Sequence, residues 1–254
     1  MKILLSFLLI LSTNLLTNAQ NPDPDFHIYI LMGQSNMAGR GVITEEFEKV
    51  EHERVLTLNK DNNWVLAKHP LHFDKPKVVG VGPGLAFGIS MAKANKNVKI
   101  GLVPCAVGGS SIQHWKPGAY DDRTNTHPWE DAKIRILEAM KYGVIKGIVW
   151  QQGESDSAPD KAEHYLQDLE DLILRTRVLV GNANLPIAIG QLPRYKEQYQ
   201  NINKVLKEVP QEIPHTAIAS SKGLTDKGDG THYSAGSSQK FGSRLAKKMR
   251  KLQK

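Results

Sequence analysis

The stretch Phe26-His-Ile-Tyr-Ile-Leu-Met-Gly-Gln-Ser-Asn-Met37 joins an apolar, β-favouring run to a turn of small and polar residues. The run from Phe26 to Met32 predicts a buried strand, and Gly33 ends it. Ser35 then lies on the loop at the C-terminal end of that strand. In an open α/β sheet ligands bind at this edge, so the position suits a nucleophilic serine. Ser-Asn after glycine is also ordinary turn chemistry, and the stretch alone leaves both interpretations open.

The rest of the chain alternates short apolar strands with helical patterns. The further strands are expected at 55–58, 64–66, 98–103, 147–150, 185–190 and 216–219, and the helices at 84–95, 128–141, 161–180, 197–208 and 235–252. Residues 55–66 read as a hairpin, and the other elements form βαβ units. Right-handed crossovers then cover both faces of the sheet. The fold class is therefore expected to be α/β, a three-layer α/β/α sandwich with a central, mainly parallel sheet.

The 254-residue chain is expected to form a single domain that follows a signal peptide. Lys2, the apolar run from Ile3 to Ile10 and the small residues before position 20 match a secretory signal, and the run is too short and too interrupted to span a membrane comfortably. We expect cleavage near Ala19, one domain over residues 20–254, and secretion to a periplasm or beyond the cell. No other stretch of the sequence suggests an integral membrane segment.

Composition argues against several classes of function. Cys105 is the only cysteine, and its apolar setting is more typical of a small core residue than of a nucleophile. No Cys/His cluster has zinc spacing, and the chemistry expected below needs neither a metal nor a cofactor. The net charge is +7, but the basic residues follow helical patterns without interleaved aromatics, notably in 240–254. A solvated helix face is favoured over nucleic acid binding, with a polyanionic surface as the weaker alternative.

Two more strands run into polar, glycine-containing loops. Gly108-Gly109 is either a tight turn or a place where a backbone N–H faces a substrate. Trp115, just beyond it, is either a sugar platform or a half-buried core residue. The third loop reads Gln151-Gln-Gly-Glu-Ser-Asp156. Because parallel strands end at the same edge, these loops are expected to meet near Ser35.

A fourth loop, Gly228-Asp-Gly-Thr-His-Tyr-Ser234, precedes the last helix. Asp229 and His232 are three residues apart, so the carboxylate can fold back toward Nδ1 of the imidazole and leave Nε2 free for another group. That is the base and orienting acid of a serine triad. Asp-Gly is also a common turn pair. It is the combination of all four loops that fits one acyl-transfer site.

Together these loops resemble the SGNH (GDSL-like) hydrolase superfamily, whose fold is flavodoxin-like, and within it carbohydrate esterase family six and the sialate O-acetylesterase group. The segments that carry the resemblance span roughly residues 27 to 250 in the family's order, and they are Gly33-Gln-Ser-Asn-Met37, Gly108-Gly-Ser-Ser-Ile112 with Trp115, Trp150-Gln-Gln-Gly-Glu-Ser-Asp156 and Asp229-Gly-Thr-His-Tyr-Ser234.

The resemblance implies a role for each matched residue. Ser35 would be the nucleophile, His232 the general base and acid, and Asp229 the group that orients His232. The oxyanion would be held by the N–H of Ser35, the N–H of Gly109 (or Gly108 if the register slips) and the side-chain amide of Gln152. The remaining residues are assigned only to support or substrate binding: Gln34, Asn36, Gly108, Glu154 and Trp115.

One departure from the superfamily concerns its first and third segments. Many members carry Gly-Asp-Ser and an Asn there, whereas this chain has Gly-Gln-Ser-Asn and Gln-Gly-Glu. The change disfavours a lipase and leaves the donor in the third segment open. Glu154 has three open roles, as a second carboxylate behind His232, as a loop brace or as a substrate contact.

The expected function is that of a secreted serine esterase that removes O-acetyl groups from polysaccharide or oligosaccharide. Acetylated xylan or its oligosaccharides is the first substrate expected from the resemblance, and O-acetylated sialic acid is the alternative. A non-catalytic glycan-binding protein on the same fold is the hypothesis from another class. The glycan, the acetyl position and the oligomeric state stay open.

Overall fold

A seven-stranded sheet runs through residues 21–254, the part of the chain that the computed structural model describes. The strands, in chain order, are β1 (Asp23–Gly33), β2 (Val55–Leu58), β3 (Trp64–Leu66), β4 (Lys99–Pro104), β5 (Gly143–Gln151), β6 (Ile187–Gly190) and β7 (Thr216–Ala219). Their order across the sheet is β3-β2-β4-β1-β5-β6-β7, and every neighbouring pair is parallel except β2 and β3. The expected signal peptide, residues 1–19, lies outside the described residues.

Helices cover both faces of this sheet. They are α1 (Ser35–Ala38), α2 (Glu45–Glu48), α3 (Pro83–Ala94), α4 (Pro128–Ala139), α5 (Pro159–Ala162), α6 (Tyr165–Val180), α7 (Tyr199–Glu212) and α8 (Ala235–Leu252). Alternate residues of β1 point to opposite faces. Ile28, Ile30 and Met32 pack in one core with α4, α6 and α7, whereas Tyr29 and Leu31 pack in a second core with α3 and α8. The predicted three-layer α/β/α fold is therefore confirmed.

The centre of the sheet brings three strand ends together. Beyond the paired residues of β1 and β4, the N–H of Val107 donates to the carbonyl of Gly33 at 3.0 Å. On the other side, a Cβ at Gly33 would lie 2.0 Å from the carbonyl oxygen of Gln151, so only glycine fits between β1 and β5. The loops after β1, β4 and β5 consequently start side by side at one edge.

Local structure after β1 differs from the expected loop. Ser35 opens the short helix α1, and residues 39–41, which follow it, are buried. The reason is an ion pair between Arg40 and Asp74, with Nη2 and Oδ2 2.6 Å apart and both side chains at most 5% exposed. The expected helix 161–180 is divided into α5 and α6. Within residues 21–254, none of the helices combines the length and apolarity needed to cross a membrane.

Cys105 lies in the core beneath α4. Next to it, the guanidinium of Arg135 donates to the backbone carbonyls of Leu58, Asn59 and Pro104, which ties α4 to β2 and β4. Burial raises the pKa of the Cys105 thiol to about 11. The thiol is therefore protonated at neutral pH, as a core residue should be.

Candidate active site

Ser35, His232 and Asp229 form a continuous hydrogen-bonded chain at the C-terminal edge of the sheet. The Oγ of Ser35 is 3.0 Å from Nε2 of His232, and Nδ1 of His232 is 2.7 Å from Oδ2 of Asp229. Because a carboxylate only accepts, Nδ1 carries the proton and Nε2 is left to accept the serine hydroxyl hydrogen. This is the geometry that a serine nucleophile and its general base require.

The loop that carries His232 is closed on itself by hydrogen bonds. The second oxygen of Asp229, Oδ1, accepts the backbone N–H groups of Thr231 at 2.9 Å and His232 at 2.8 Å. Gly230 has a φ of +64°, a conformation that favours glycine, and its N–H donates to Asp226 at 2.6 Å. The carboxylate thus fixes both the backbone and the imidazole of the residue three positions on.

The environment keeps the two groups in the protonation states that catalysis needs. Burial lowers the pKa of His232, and it prevails over the hydrogen bond to Asp229, which raises that pKa. Burial also raises the pKa of Asp229, but hydrogen bonds from the backbone N–H and imidazole of His232 and from the N–H of Thr231 hold it well below its usual range. At neutral pH the pair is therefore a neutral imidazole beside a carboxylate.

Asn36 joins the His232 loop to the loop after β5. Its Nδ2 donates to Oε1 of Glu154 at 2.6 Å and to the carbonyl of Thr231 at 3.2 Å, while its Oδ1 accepts the N–H of Tyr233 at 3.0 Å. The residues on both sides of His232 are therefore bonded to the residue that follows Ser35. Asn36 is 2% exposed, so water does not compete for these bonds.

Glu154 acts on this site through Asn36, with no direct contact to His232. Burial raises the pKa of Glu154 to about 7, although the hydrogen bond from Asn36 lowers it. Its second oxygen, Oε2, is buried and has no hydrogen-bond partner among the described residues. Of the roles left open by the sequence, this geometry favours the loop brace.

Two backbone N–H groups near Ser35 are free to bind an oxyanion. Among residues 21–254, the N–H of Ser35 and the N–H of Gly109 make no hydrogen bond. Gly109 has a φ of +88°. The N–H of Gly108, by contrast, donates to Oδ2 of Asp74 at 2.8 Å. Of Gly108 and Gly109, this geometry therefore favours Gly109 as the oxyanion donor.

The side chain of Gln152 differs from its expected role as an oxyanion donor. It is fully buried, and its Nε2 lies 3.1 Å from Oε1 of Gln34, 3.0 Å from the carbonyl of Ser110 and 2.5 Å from Oδ2 of Asp156. The amide has two hydrogens and already faces three acceptors. It therefore holds the loops after β1, β4 and β5 together instead of pointing a hydrogen at the substrate.

Trp115 does not offer its ring to a sugar. The residue is fully buried, its indole packs edge-on against Trp150 with ring centroids 5.3 Å apart, and its Nε1 donates to Oγ of Ser110 at 3.1 Å. The core alternative fits this placement, and the platform interpretation does not.

Cationic side chains flank the loop that holds Gly109. Nη2 of Arg123 donates to the carbonyl of Gly109 at 2.6 Å, and Arg123 is held by the buried Asp121. A Cβ placed on Gly109 would lie 3.7 Å from Nη1 of Arg123 and 3.9 Å from Nζ of Lys75. Two cationic side chains therefore lie close to Gly109, and one of them is paired with Asp121.

Two acidic residues of this site carry no signal in the sequence. Asp74 binds both Arg40 and the N–H of Gly108, and Asp156 binds the N–H of Ile112 at 3.0 Å as well as Gln152. Each is a single carboxylate in a polar loop, and apart from Gln152, four residues before Asp156 in the same loop, the partners lie 34 or 44 residues away along the chain. In the described part of the chain, no three His, Cys, Asp or Glu side chains are placed to hold a metal ion.

Carbohydrate esterases are similar to this chain in sequence and in structure. A family model described as carbohydrate esterase, sialic acid-specific acetylesterase, matches residues 25–251. A probable carbohydrate esterase of Arabidopsis thaliana is 34% identical over an aligned length of 253, and the match covers 89% of this chain and 91% of the relative. The crystal structure of an Arabidopsis thaliana protein superposes with a TM-score of 0.79 at 30% identity, covering 90% of this chain and 99% of the other.

More distant structures share the fold. The crystal structure of NanS has a TM-score of 0.72 at 18% identity, with 91% of this chain and 98% of the other covered. A carbohydrate acetylesterase from Xanthomonas citri has a TM-score of 0.67 at 19% identity, with 89% of this chain and 56% of the other covered. The match of the family model over almost all of the described residues decides the classification. The chain belongs to the carbohydrate esterase family of sialic acid-specific acetylesterases.

Proposed function

We propose that this protein is a serine O-acetylesterase of carbohydrates in which Ser35 is the nucleophile. The observation that carries the proposal is the position of His232, 3.0 Å from the Oγ of Ser35 and 2.7 Å from the carboxylate of Asp229. A serine hydroxyl is a weak nucleophile until a neighbouring base takes its proton, and this base is neutral and correctly oriented.

The reaction follows from the placement of these groups. The Oγ of Ser35 attacks the acetyl carbonyl while Nε2 of His232 takes the hydroxyl proton, and Asp229 stabilises the imidazolium. The oxyanion accepts hydrogen bonds from the N–H groups of Ser35 and Gly109. When the tetrahedral intermediate collapses, His232 protonates the departing sugar oxygen. Water, activated by the same imidazole, then cleaves the acetyl-enzyme and releases acetate. Loss of one such oxyanion donor typically raises the barrier by about 2.7–4 kcal/mol.

Two classes of sugar are candidates for the acetylated substrate. Acetylated xylan or xylo-oligosaccharide rests on the sequence resemblance to carbohydrate esterase family six. O-acetylated sialic acid is supported by the family description and by Arg123 and Lys75 beside Gly109, because a sialic acid carries a carboxylate and the xylan backbone does not. The site therefore gives the anionic sugar the stronger support. We also propose, from residues 1–19 alone, that the enzyme is exported.

Acetate release from acetylated xylan and from O-acetylated sialic acid tests both parts of the proposal. Ser35→Ala is expected to abolish release, and Ser221→Ala, which alters another buried serine, is expected to retain it. Activity that survives in Ser35→Ala would refute the nucleophile. If the folded wild type releases acetate from neither substrate, the esterase proposal fails and direct glycan binding becomes the function to measure.

A second variant separates the substrates. Lys75→Gln removes a charge beside Gly109 and leaves the triad and the hydrogen bond from Arg123 to the carbonyl of Gly109 in place. If the substrate is sialic acid, KM for it should rise about tenfold or more, whereas turnover of a neutral acetyl ester should change little, because a charge-assisted hydrogen bond contributes about 1.5–3 kcal/mol. Equal effects on neutral and anionic esters would argue against a carboxylate at this position.

A further inference from the structure

The positive charge of this protein is concentrated on one helical layer. Helices α3 and α8, which pack together on one face of the sheet, contain no acidic residue. They carry seven basic residues, namely Lys93, Lys240, Arg244, Lys247, Lys248, Arg250 and Lys251. The opposite layer of α4, α6 and α7 has eight acidic and six basic residues and is nearly balanced. The rest of the sequence has 26 basic and 26 acidic residues, so the net charge of +7 equals the charge that these two helices carry.

The basic side chains of α8 point outward without acidic partners. Lys240, Lys247, Arg250 and Lys251 are exposed, and no salt bridge within residues 21–254 involves α8. Positions 240, 244, 247 and 251 recur at helical spacing and form one stripe along the helix. Arg244 is anchored at one point of the stripe by bonds to the carbonyls of Ser220 and Lys222. We call this stripe, together with Lys93, Lys248 and Arg250, the basic face.

The basic side chains of this face repel one another, and like charges at this spacing destabilise a helix. Helix α8 is stabilised by its opposite side, where Phe241, Leu245 and Met249 are fully buried. The stripe runs from Lys240 to Lys251, twelve residues or about 18 Å of helix, and an unneutralised charge of this extent attracts a polyanion along its length.

The surroundings of the basic face restrict the kind of polyanion. No large hydrophobic side chain is exposed on α3 or α8, whereas a helix that binds a membrane surface inserts an apolar face between lipids. No exposed aromatic ring lies on these helices either, and proteins that hold single-stranded nucleic acid stack bases on such rings. An anionic polysaccharide needs neither feature, because it is bound by charge and hydrogen bonds.

We propose that the basic face docks the protein on an anionic polysaccharide, a polymer of uronic acids or of sugars with comparable charge. Helix α8 begins at Ala235, three residues after His232, so a polymer lying along the stripe runs to the edge that holds Ser35. Docking would keep the enzyme beside its polymeric surroundings between turnovers. The surface is separate from the acetyl ester site, so it does not depend on the esterase proposal.

Binding to polygalacturonate tests the proposal. The variant Lys240→Gln/Lys247→Gln/Lys251→Gln removes three charges from the basic face, and the control Lys60→Gln/Lys133→Gln/Lys204→Gln removes three exposed charges elsewhere. Binding is measured by co-sedimentation and titration in the wild type, in both variants and in Ser35→Ala, with an uncharged polysaccharide and vesicles of anionic lipid as further probes. Melting temperatures show that every variant is folded, including Ser35→Ala, which is expected not to hydrolyse acetyl esters.

The proposal makes distinct demands on these measurements. The basic-face variant should lose about tenfold or more of its affinity for polygalacturonate, the control should lose much less, and affinity should fall steeply with salt, since each contact releases counterions. Ser35→Ala should bind as the wild type does. Equal losses of affinity in the two variants would mean that binding depends on net charge alone, and would overturn the proposal. So would undetectable binding at low salt, equal binding to the uncharged polymer, or tighter binding to the vesicles.

Discussion

Asn36→Ala should uncouple His232 from Ser35 without altering either residue. The substitution removes three hydrogen bonds, to Glu154, Thr231 and Tyr233, and leaves the N–H of Tyr233 buried without its acceptor. Since a net hydrogen bond contributes about 0.5–1.5 kcal/mol, the three together predict a loss of about 1.5–4.5 kcal/mol in the free energy of unfolding.

The effect on catalysis should exceed the effect on binding. His232 lies between two of the lost attachment points, and a displacement of about 1 Å of a reacting group lowers the rate by roughly 100-fold. We therefore expect kcat to fall about 100-fold with little change in KM, because Arg123 and Lys75, the proposed substrate contacts, are untouched. Steady-state kinetics on an acetyl ester, well below the melting temperature of the variant, measures this split.

Asn203→Ala is the matched control. Asn203 is 3% exposed against 2% for Asn36, and it too makes three hydrogen bonds, two of them to the backbone of Leu192. It should lower the free energy of unfolding by a similar amount and leave kcat within a fewfold of wild type. A kcat in Asn36→Ala that is no lower than in Asn203→Ala would refute the positioning role.

Three further predictions concern charge. Asp74→Ala leaves Arg40 buried without its partner and should cost about 3–5 kcal/mol in urea unfolding; a loss below about 1 kcal/mol would show that water or another group replaces the carboxylate. Asp229→Asn should lower kcat by about 10⁴-fold, because the amide oxygen keeps the backbone N–H groups of Thr231 and His232 while the NH2 group faces Nδ1 of His232 and favours the wrong tautomer. The wild-type profile of kcat/KM against pH should fall on the acid side with a pKa below 6.5, because burial lowers the pKa of His232; an acid limb above 6.5 contradicts this. Burial raises the pKa of Glu154 from 4.5 to about 7, so its contribution to stability is complete below pH 4.5 and is lost as pH rises through 7. Glu154→Gln should therefore flatten the pH dependence of the free energy of unfolding between pH 4.5 and 7. An unchanged slope in this window would mean that other groups cause the pH dependence.

The layers of the fold follow from periodicity. The strands and helices longer than four residues were all expected, since apolar runs and amphipathic patterns report burial locally. The start of β5 at Gly143 was missed because Lys146 interrupts the apolar pattern before Gly147. Helix α1 was missed because four residues between glycines carry no helical periodicity.

The candidate site was predictable where its partners are close in sequence and less so where they are distant. Asp229 and His232 are neighbours in one loop, so their contact follows from spacing. Arg40 looks exposed in the sequence, since its partner Asp74 is thirty-four residues away. The expected use of Gln152 as an oxyanion donor did not foresee the three acceptors that surround its amide, each from a different loop position. Such assignments depend on how loops pack, which no local pattern encodes.

The buried thiol of Cys105 is an internal reporter of local opening in the native protein. Because the thiol is covered and its pKa is raised to about 11, a thiol-specific reagent reacts only with molecules in which the layer of α4 has lifted from the sheet. With a single cysteine in the chain, the rate of labelling follows one opening event. The native protein can thus be followed, without any engineered probe, to learn whether the layer opposite the basic face opens as a separate unit or only when the whole domain unfolds.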